Sequence, residues 1–297
     1  MDNDPASDAA SDAAASQVWL PPGPWASLLD FLDQRFPRVG REQWRQRLHD
    51  GKLSDDSGAT PGVDAPYLAG RTLRYYREVP AEAEIPFEAQ VLYRDAHLLV
   101  ADKPHFLPTM PAGRYVQQCL LARLRRQTGL AGLTPLHRLD RETAGLVLFS
   151  VDTGTRAAYS ALFATRRIAK TYEALAPMRP DLPFPLTRRS RIVSGTPFFR
   201  MQEVDGEPNA ETRIELIEVR DGHGHYRLHP LSGKKHQLRL HMAALGLPII
   251  GDRWYPQLQD EAPDDYAQPL KLLARRLAFD DPLSGERRVF ESRLSLS

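Results

Sequence analysis

The order of apolar and polar residues divides the chain into segments of helical and of strand character. In "PWASLLDFLDQRFP" Leu28, Leu29, Leu32 and Phe36 recur at helical spacing, and "GREQWRQRLHDGKL" takes up a helical pattern again after Pro37. Gly51 is placed to end that second helix, as glycines at C-terminal caps do. The proline- and acid-rich "VPAEAEIPFEAQ" has no such period and reads as a linker. Beyond it, "VLYRDAHLLVADKP" predicts two short strands around a "RDAH" turn, and "RYVQQCLLARLRRQTG" an amphipathic helix ended by Gly129. "GLVLFSVD" then reads as a buried strand, "TRAAYSALFATRRI" as a helix and "KTYEALAP" as the next strand. In "ETRIELIEVRDGHGHYRLHPLSG" the "DGHG" is a hairpin turn between two alternating runs, and "KKHQLRLHMAALG" predicts a helix closed by Gly246. Strands and helices mix without regular alternation and a hairpin is present, which favours an α+β architecture over a doubly wound parallel sheet.

These segments group into an expected tail at residues 1–17, a small domain at 18–80, a linker at 81–87 and a large domain at 88–297. The tail holds Asp2, Asp4, Asp8 and Asp12 and no base, and reads as a disordered acidic segment rather than a secretion signal. The formal charge of +1 for 297 residues becomes +5 without those four acids. The bases cluster: "ARLRRQTG", "HRLDR", "ATRRIAK", "TRRSR" and "GKKHQLR" all fall between residues 122 and 239. One such run is usually a solvated face, whereas five in one region favour a polyanionic partner. Apolar runs such as "GLVLF" and "LGLPII" are far shorter than the ~20 residues of a membrane helix. The single cysteine, Cys119, excludes an internal disulfide and suits the cytoplasm as a buried thiol.

Candidate chemistry concentrates in "HRLDRETAGLVLFS", where Asp140 sits between Arg138 and Arg141 ahead of a small-residue turn. Such a carboxylate is either a solvated loop acid or a nucleophile or base kept ionised by cationic neighbours. In the helix predicted from "KKHQLRLHMAALG", Leu238, His241, Met242 and Leu245 share a core face and Arg239 projects from a neighbouring position. An arginine about 4 Å from a carboxylate would favour its ionised form.

The ordered segments "LLVADKP", "HRLDRETAGLVLFS", "KTYEALAP" and "LSGKKHQLRLHMAALGLPIIGD", continued by "LKLLARRLAFDDPLSGERRVF", resemble the pseudouridine synthases of the RluA type over roughly residues 88–295. Ala144 stands where that family commonly has serine, and "LSGKK" replaces a threonine-glycine-arginine run. The resemblance implies a catalytic core with a mixed, largely antiparallel sheet. It also implies a reaction: a uridine in structured RNA, ribosomal or transfer, is detached at nitrogen, turned and rejoined through carbon five. No metal and no redox cofactor is required. Asp140 matches the catalytic carboxylate, Tyr172 the tyrosine that packs against the uracil, and Arg239 the ion-pair partner of the carboxylate. Arg138 matches the residue that enters the RNA and supports the flipped nucleotide. His137, Arg141, Lys170, Lys235, His236 and Gln237 lie in the same motifs as candidate substrate contacts, with an orienting hydrogen bond expected for His137. A monomer acting on RNA follows, with neither DNA nor a membrane as partner.

More faintly, "LLDFLDQRFPRVGREQWRQRLHDGKL" resembles a degenerate alpha-L RNA-binding domain, with Arg35, Arg38, Arg41, Arg45 and Arg47 as phosphate candidates. The usual "VNG" turn is replaced by "SDDSGATPG". His223, His225, His229, His236 and His241 invite a zinc reading, but "HGH" lies in a glycine turn and His236 and His241 are five apart. Two other classes stay open on sequence alone. One is a non-catalytic RNA-binding or assembly factor; the other is a glycoside- or nucleoside-type hydrolase, for which Glu142 is the only nearby second acid.

Overall fold

Ser27 starts the first helix because its hydroxyl accepts the Asp30 N–H at 3.1 Å, and Asp30 adds a negative charge to the first turn. The computed structural model describes residues 16–37, 39–75, 82–220, 222–260 and 262–296, in two compact units that part between Ala81 and Glu82. The first unit runs β1 (Ser16–Trp19), α1 (Leu28–Arg35), α2 (Arg41–His49), β2 (Leu53–Ser54) and β3 (Thr72–Tyr75), with the strands paired antiparallel in the order β1-β3-β2. Phe31, Leu32, Trp44, Leu53 and Leu73 form its core. Residues 16 and 17, grouped with the tail in the sequence reading, begin β1, and residues 1–15 lie outside the described residues. Arg47 is buried against Trp44, Arg41 pairs with Asp30 at 2.8 Å and Arg38 lies outside the described residues. Burial removes Arg47 from the set of phosphate candidates.

The second unit contains β4 (Gln90–Arg94), β5 (Leu98–Lys103), α3 (Leu120–Thr128), β6 (Thr134–Pro135), β7 (Ala144–Ser150), α4 (Arg156–Ala164), β8 (Ile168–Pro177), β9 (Leu186–Ser194), β10 (Met201–Val204), β11 (Ala210–Arg220), β12 (His223–Pro230), α5 (Gln237–Ala244), β13 (Leu272–Asp280) and β14 (Arg287–Glu291). Its strands form one sheet in the order β10-β9-β11-β12-β8-β13-β7-β5-β4, with β14 beside β13 and β6 beside β7. Every pairing is antiparallel except β13 with β7. This is the α+β architecture that the sequence pattern favours, with the mixed, largely antiparallel sheet that the resemblance implies. No helix among the described residues is long and apolar enough to cross a membrane.

β5 and β7 are buried along their whole length, which is why "LLVA" and "AGLVLF" read as continuous apolar runs rather than alternating ones. At the parallel crossing, Ala274 of β13 pairs with Gly145 of β7. Gly145 has φ 114°, and a Cβ there would lie 2.4 Å from the Ala274 carbonyl oxygen. Only glycine lets the chain pass from the Asp140 loop into the middle of the sheet at that point. Residues 82–87, read as a linker, are instead docked on the second unit. Ile85 is buried, and the Glu82 carboxylate accepts the backbone N–H groups of Gln117 and Gln118. Ala112 and Tyr115 form a backbone bridge, Glu82 takes the Gln117 and Gln118 N–H groups, and α3 begins at Leu120 rather than near Arg114.

Candidate active site

The loop bearing Asp140 leaves β6 and enters β7, and its backbone is held from three directions. Thr109 brackets Leu139, donating its hydroxyl to the carbonyl at 3.0 Å and accepting the N–H at 3.1 Å. The His105 ring donates from Nδ1 to the Glu142 carbonyl at 2.7 Å. Lys103, at the end of β5, donates to the carbonyls of Leu107, Pro104 and Arg141 at 2.8, 3.1 and 3.1 Å. Its ammonium is fully buried, and burial pulls its pKa down to about 7 against the opposing pull of Glu142 and Asp140. The three carbonyls satisfy all three of its donors. None of these three residues was singled out from sequence. A lysine ending the apolar run of "LLVADKP" was the available signal, because a buried ammonium needs partners.

Opposite the loop stands α5. His236 precedes it in a left-handed conformation, φ 55°, so the helix starts at Gln237 and the two lysines before it lie in a loop. Arg239 is only 2% exposed. Its Nε and Nη2 donate to the two carboxylate oxygens of Asp252 at 2.8 and 2.7 Å, and Trp254 covers its guanidinium at 4.9 Å. Two edges of the planar fork are thereby fixed. The third, Nη1, is buried without a hydrogen-bond partner and points at Asp140 Oδ2 and Glu142 Oε2, each 3.7 Å away. Burial disfavours the guanidinium charge, but the hydrogen bonds and charge of Asp252, with those of Asp140 and Glu142, raise its pKa on balance. At 3.7 Å the attraction to Asp140 is about 4 kcal/mol at an effective dielectric constant of ~20, before desolvation is subtracted.

His236 Nε2 lies 3.8 Å from Asp140 Oδ1, and its Nδ1 is 3.0 Å from the Tyr255 hydroxyl. Burial, followed by the positive charge of Arg239, lowers the pKa of this histidine to about 3, so it faces the carboxylate as a neutral ring. The Asp140 side chain is 19% exposed, and its carboxylate accepts no hydrogen bond among the described residues. It opens onto a cleft of about 1120 Å³. Arg138, Arg166, Arg167, Lys170, Lys234, Lys235, Arg239 and Arg287 line that cleft, and Asp140 is its only acid among the described residues. A single carboxylate in a basic cleft is suited to a reaction at one carbon of a polyanion, not to the paired-carboxylate chemistry of a hydrolase. Glu142 does not line the cleft; it pairs with Arg239 and Arg141.

The candidates from sequence separate into three groups. Asp140, Arg138, Tyr172, Lys170, Lys235, His236 and Arg239 meet at the cleft. His137 also lines it, but accepts the Leu148 N–H at 3.1 Å and stacks on Phe163, which makes it a brace for β7. Arg141 turns away: its guanidinium binds Asp264 at 3.2 Å and it is absent from the cleft wall. Gln237 lines the cleft, and its side-chain amide is used within the protein, accepting from Ser232 and Lys234 and donating to Glu211 and Thr212, so it fastens the loop before α5. The partner and position of Arg141 put it away from the cleft. Of the clustered histidines, His241 is buried between Ser190 and Thr212, and His225 and His229 lie beside glutamates on the sheet.

Comparisons with known proteins identify the family. The family model for RNA pseudouridylate synthase matches residues 97–244. Over 244 residues the chain is 32% identical to an uncharacterised RNA pseudouridine synthase of Synechocystis, across 77% of this chain and 79% of the relative. The chain belongs to the RluA-type RNA pseudouridine synthases. It is 30% identical over 220 residues to the dual-specificity RNA pseudouridine synthase RluA of Haemophilus influenzae, 68% of this chain and 92% of that one. To the ribosomal large subunit pseudouridine synthase D of Pseudomonas aeruginosa it is 28% identical over 281 residues, 88% of this chain and 86% of the relative. The solved structures of human RNA pseudouridylate synthase domain containing 1 and 4 share the fold. Their TM-scores are 0.58 and 0.55 at 22% and 24% identity, over 71% and 69% of this chain and 86% and 88% of theirs.

The synthase carries a built-in acid sensitivity. Burial lowers the pKa values of His137 and His236 to about 3 and of His105 and His241 to about 4, against about 6.5 in an unfolded chain. Between pH ~4 and ~6.5 the unfolded state therefore binds more protons, and stability rises with pH through that window. The urea midpoint is expected to climb from pH 5 to pH 7. A flat or falling midpoint would show that these rings are solvated.

Proposed function

We propose that this isomerase acts on uridines of structured RNA, large-subunit ribosomal RNA first, with Asp140 as the catalytic carboxylate. The observation that carries this reading is the unpartnered Nη1 of Arg239, fixed by Asp252 and aimed at the only acid of a basic cleft. The N1–C1′ bond of the uridine breaks and a C5–C1′ bond forms; a proton leaves C5 and N1 gains one. Asp140 serves as nucleophile or base at the sugar, and Arg239 orients it. The flipped base packs on Tyr172. Burial and the charge of Asp140 both raise the Tyr172 pKa, so it stays a neutral phenol that offers a face and a donor, not a base.

A uridine must leave its stack to reach Asp140, at a cost of a few kcal/mol. Arg138 is assigned to the vacated place. It is exposed at the cleft and has no ion-pair partner among the described residues, so its guanidinium is available to stack on a base and bond phosphate. The ribosomal target is favoured over transfer RNA by the relative from Pseudomonas aeruginosa, which spans 88% of this chain. Mapping pseudouridines across all RNAs of cells with and without the gene tests the assignment. Loss of sites in large-subunit ribosomal RNA is expected; loss confined to transfer RNA would replace the target, and loss at no site would remove it.

A further inference from the structure

Helices α4 and α5 end in the same way. In α5 the N–H of Leu247 bonds the Met242 carbonyl at 2.9 Å and that of Gly246 bonds Ala243 at 3.0 Å, with Gly246 left-handed at φ 72°. In α4 the N–H of Arg167 bonds Leu162 at 2.8 Å and that of Arg166 bonds Phe163 at 3.3 Å, with Arg166 left-handed at φ 58°. Both are Schellman turns, in which the left-handed position is normally glycine because a Cβ is strained there. α4 puts an arginine in it. Strain kept in a folded chain points to a use for the side chain that causes it.

Arg166 and Arg167 are exposed on the wall of the active-site cleft, and neither guanidinium has a hydrogen-bond or ion-pair partner among the described residues. Immediately after them β8 starts at Ile168 and carries Lys170 and Tyr172, two residues apart and so on one face. Lys170 donates to the Ser232 carbonyl at 2.9 Å and also lines the cleft. Its pKa is lowered by burial and then by the charge of Arg166. An extended strand rises about 3.3 Å per residue, so the six positions from Tyr172 back to Arg166 span up to about 20 Å. The arginine pair thus continues the cleft wall from Tyr172 past Lys170 to the end of α4.

We propose that Arg166 and Arg167 form a phosphate-binding track for the RNA strand that flanks the target uridine, and that the turn after α4 keeps an arginine in the glycine position for this purpose. The track rests on RNA being the substrate and not on the role given to Asp140. Arg166→Gly is the direct probe, since it removes the cation and relieves the left-handed strain together.

The thermal midpoint of Arg166→Gly should hold or rise, while Kd for RNA increases about five- to tenfold near 0.1 M salt. The slope of log Kd against log salt should fall by about one for each cation removed, in Arg166→Gly and in Arg167→Gln alike. Arg276→Gln, which removes one cation outside the cleft, should change neither. Binding and single-turnover rate are measured on a large-subunit ribosomal RNA transcript and on transfer RNA, and read on whichever the native protein modifies. At saturating RNA the rate should stay within about twofold of native. Unchanged Kd and slope, or a shift no larger than that of Arg276→Gln, would overturn the track. So would a saturating rate that falls while Kd holds, which would place Arg166 in the chemistry instead. Failure of the Asp140 assignment leaves these binding results as they are.

Discussion

Arg239→Lys is expected to lower the single-turnover rate about 100-fold per folded molecule, the scale of losing one preorganised donor. Lysine keeps the charge but not the fork. Arg239 uses two edges on Asp252 and presents the third to Asp140, and a lysine's single ammonium cannot fill both places at once. The same substitution should also lower stability, by about 3 kcal/mol, because Asp252 is 1% exposed and would be left incompletely paired. Its remaining partners are the N–H groups of Trp254 and Tyr255, at 2.9 and 3.1 Å, and they do not neutralise it. The two effects are separable. Chemical unfolding gives the stability loss, and single-turnover rate normalised to folded protein gives the loss of function. A variant that is destabilised yet turns over normally when folded would reduce Arg239 to a structural pin.

Much of the fold was legible because its core strands are extreme cases. β7 is buried on both faces and therefore apolar throughout, and the β11–β12 hairpin announces itself by a glycine turn between alternating runs. Boundaries were not legible where a distant side chain sets them. The apolar spacing around Tyr115 and Val116 fits a helix, but the Glu82 carboxylate claims the N–H groups of Gln117 and Gln118 and the helix waits until Leu120. Periodicity cannot register an acid more than thirty residues away.

The site shows the same division. Asp140 stands out because a carboxylate between two arginines ahead of a small-residue turn is locally anomalous, and the family resemblance pairs Arg239 with it. Their supports do not stand out. Asp252 closes the segment "LSGKKHQLRLHMAALGLPIIGD" without any local sign of its task, and only the fold reveals that it decides which edge of Arg239 faces the cleft. Arg141 looked as eligible as Arg138, and only the fold reveals that Asp264, 123 residues on, takes its guanidinium. The left-handed Arg166 was visible as part of a basic run, but its strain is a property of the helix end and not of the run.

The central claim, that the chemistry depends on one carboxylate, meets its most direct test in Asp140→Asn. The substitution preserves volume, and the loop backbone is held by Lys103, Thr109 and His105 without help from the Asp140 side chain. The variant should fold, and its RNA affinity should stay within about a factor of three, or about 0.6 kcal/mol. An amide is neither nucleophile nor base, so turnover should fall by at least about 10³-fold. The deciding measurement is single-turnover pseudouridine formation on one folded RNA, with native protein and Asp140→Asn both at saturation. Product from the native protein and none from the variant, at equal occupancy, is the predicted result. Pseudouridine formed by the variant at a rate near native would contradict the account.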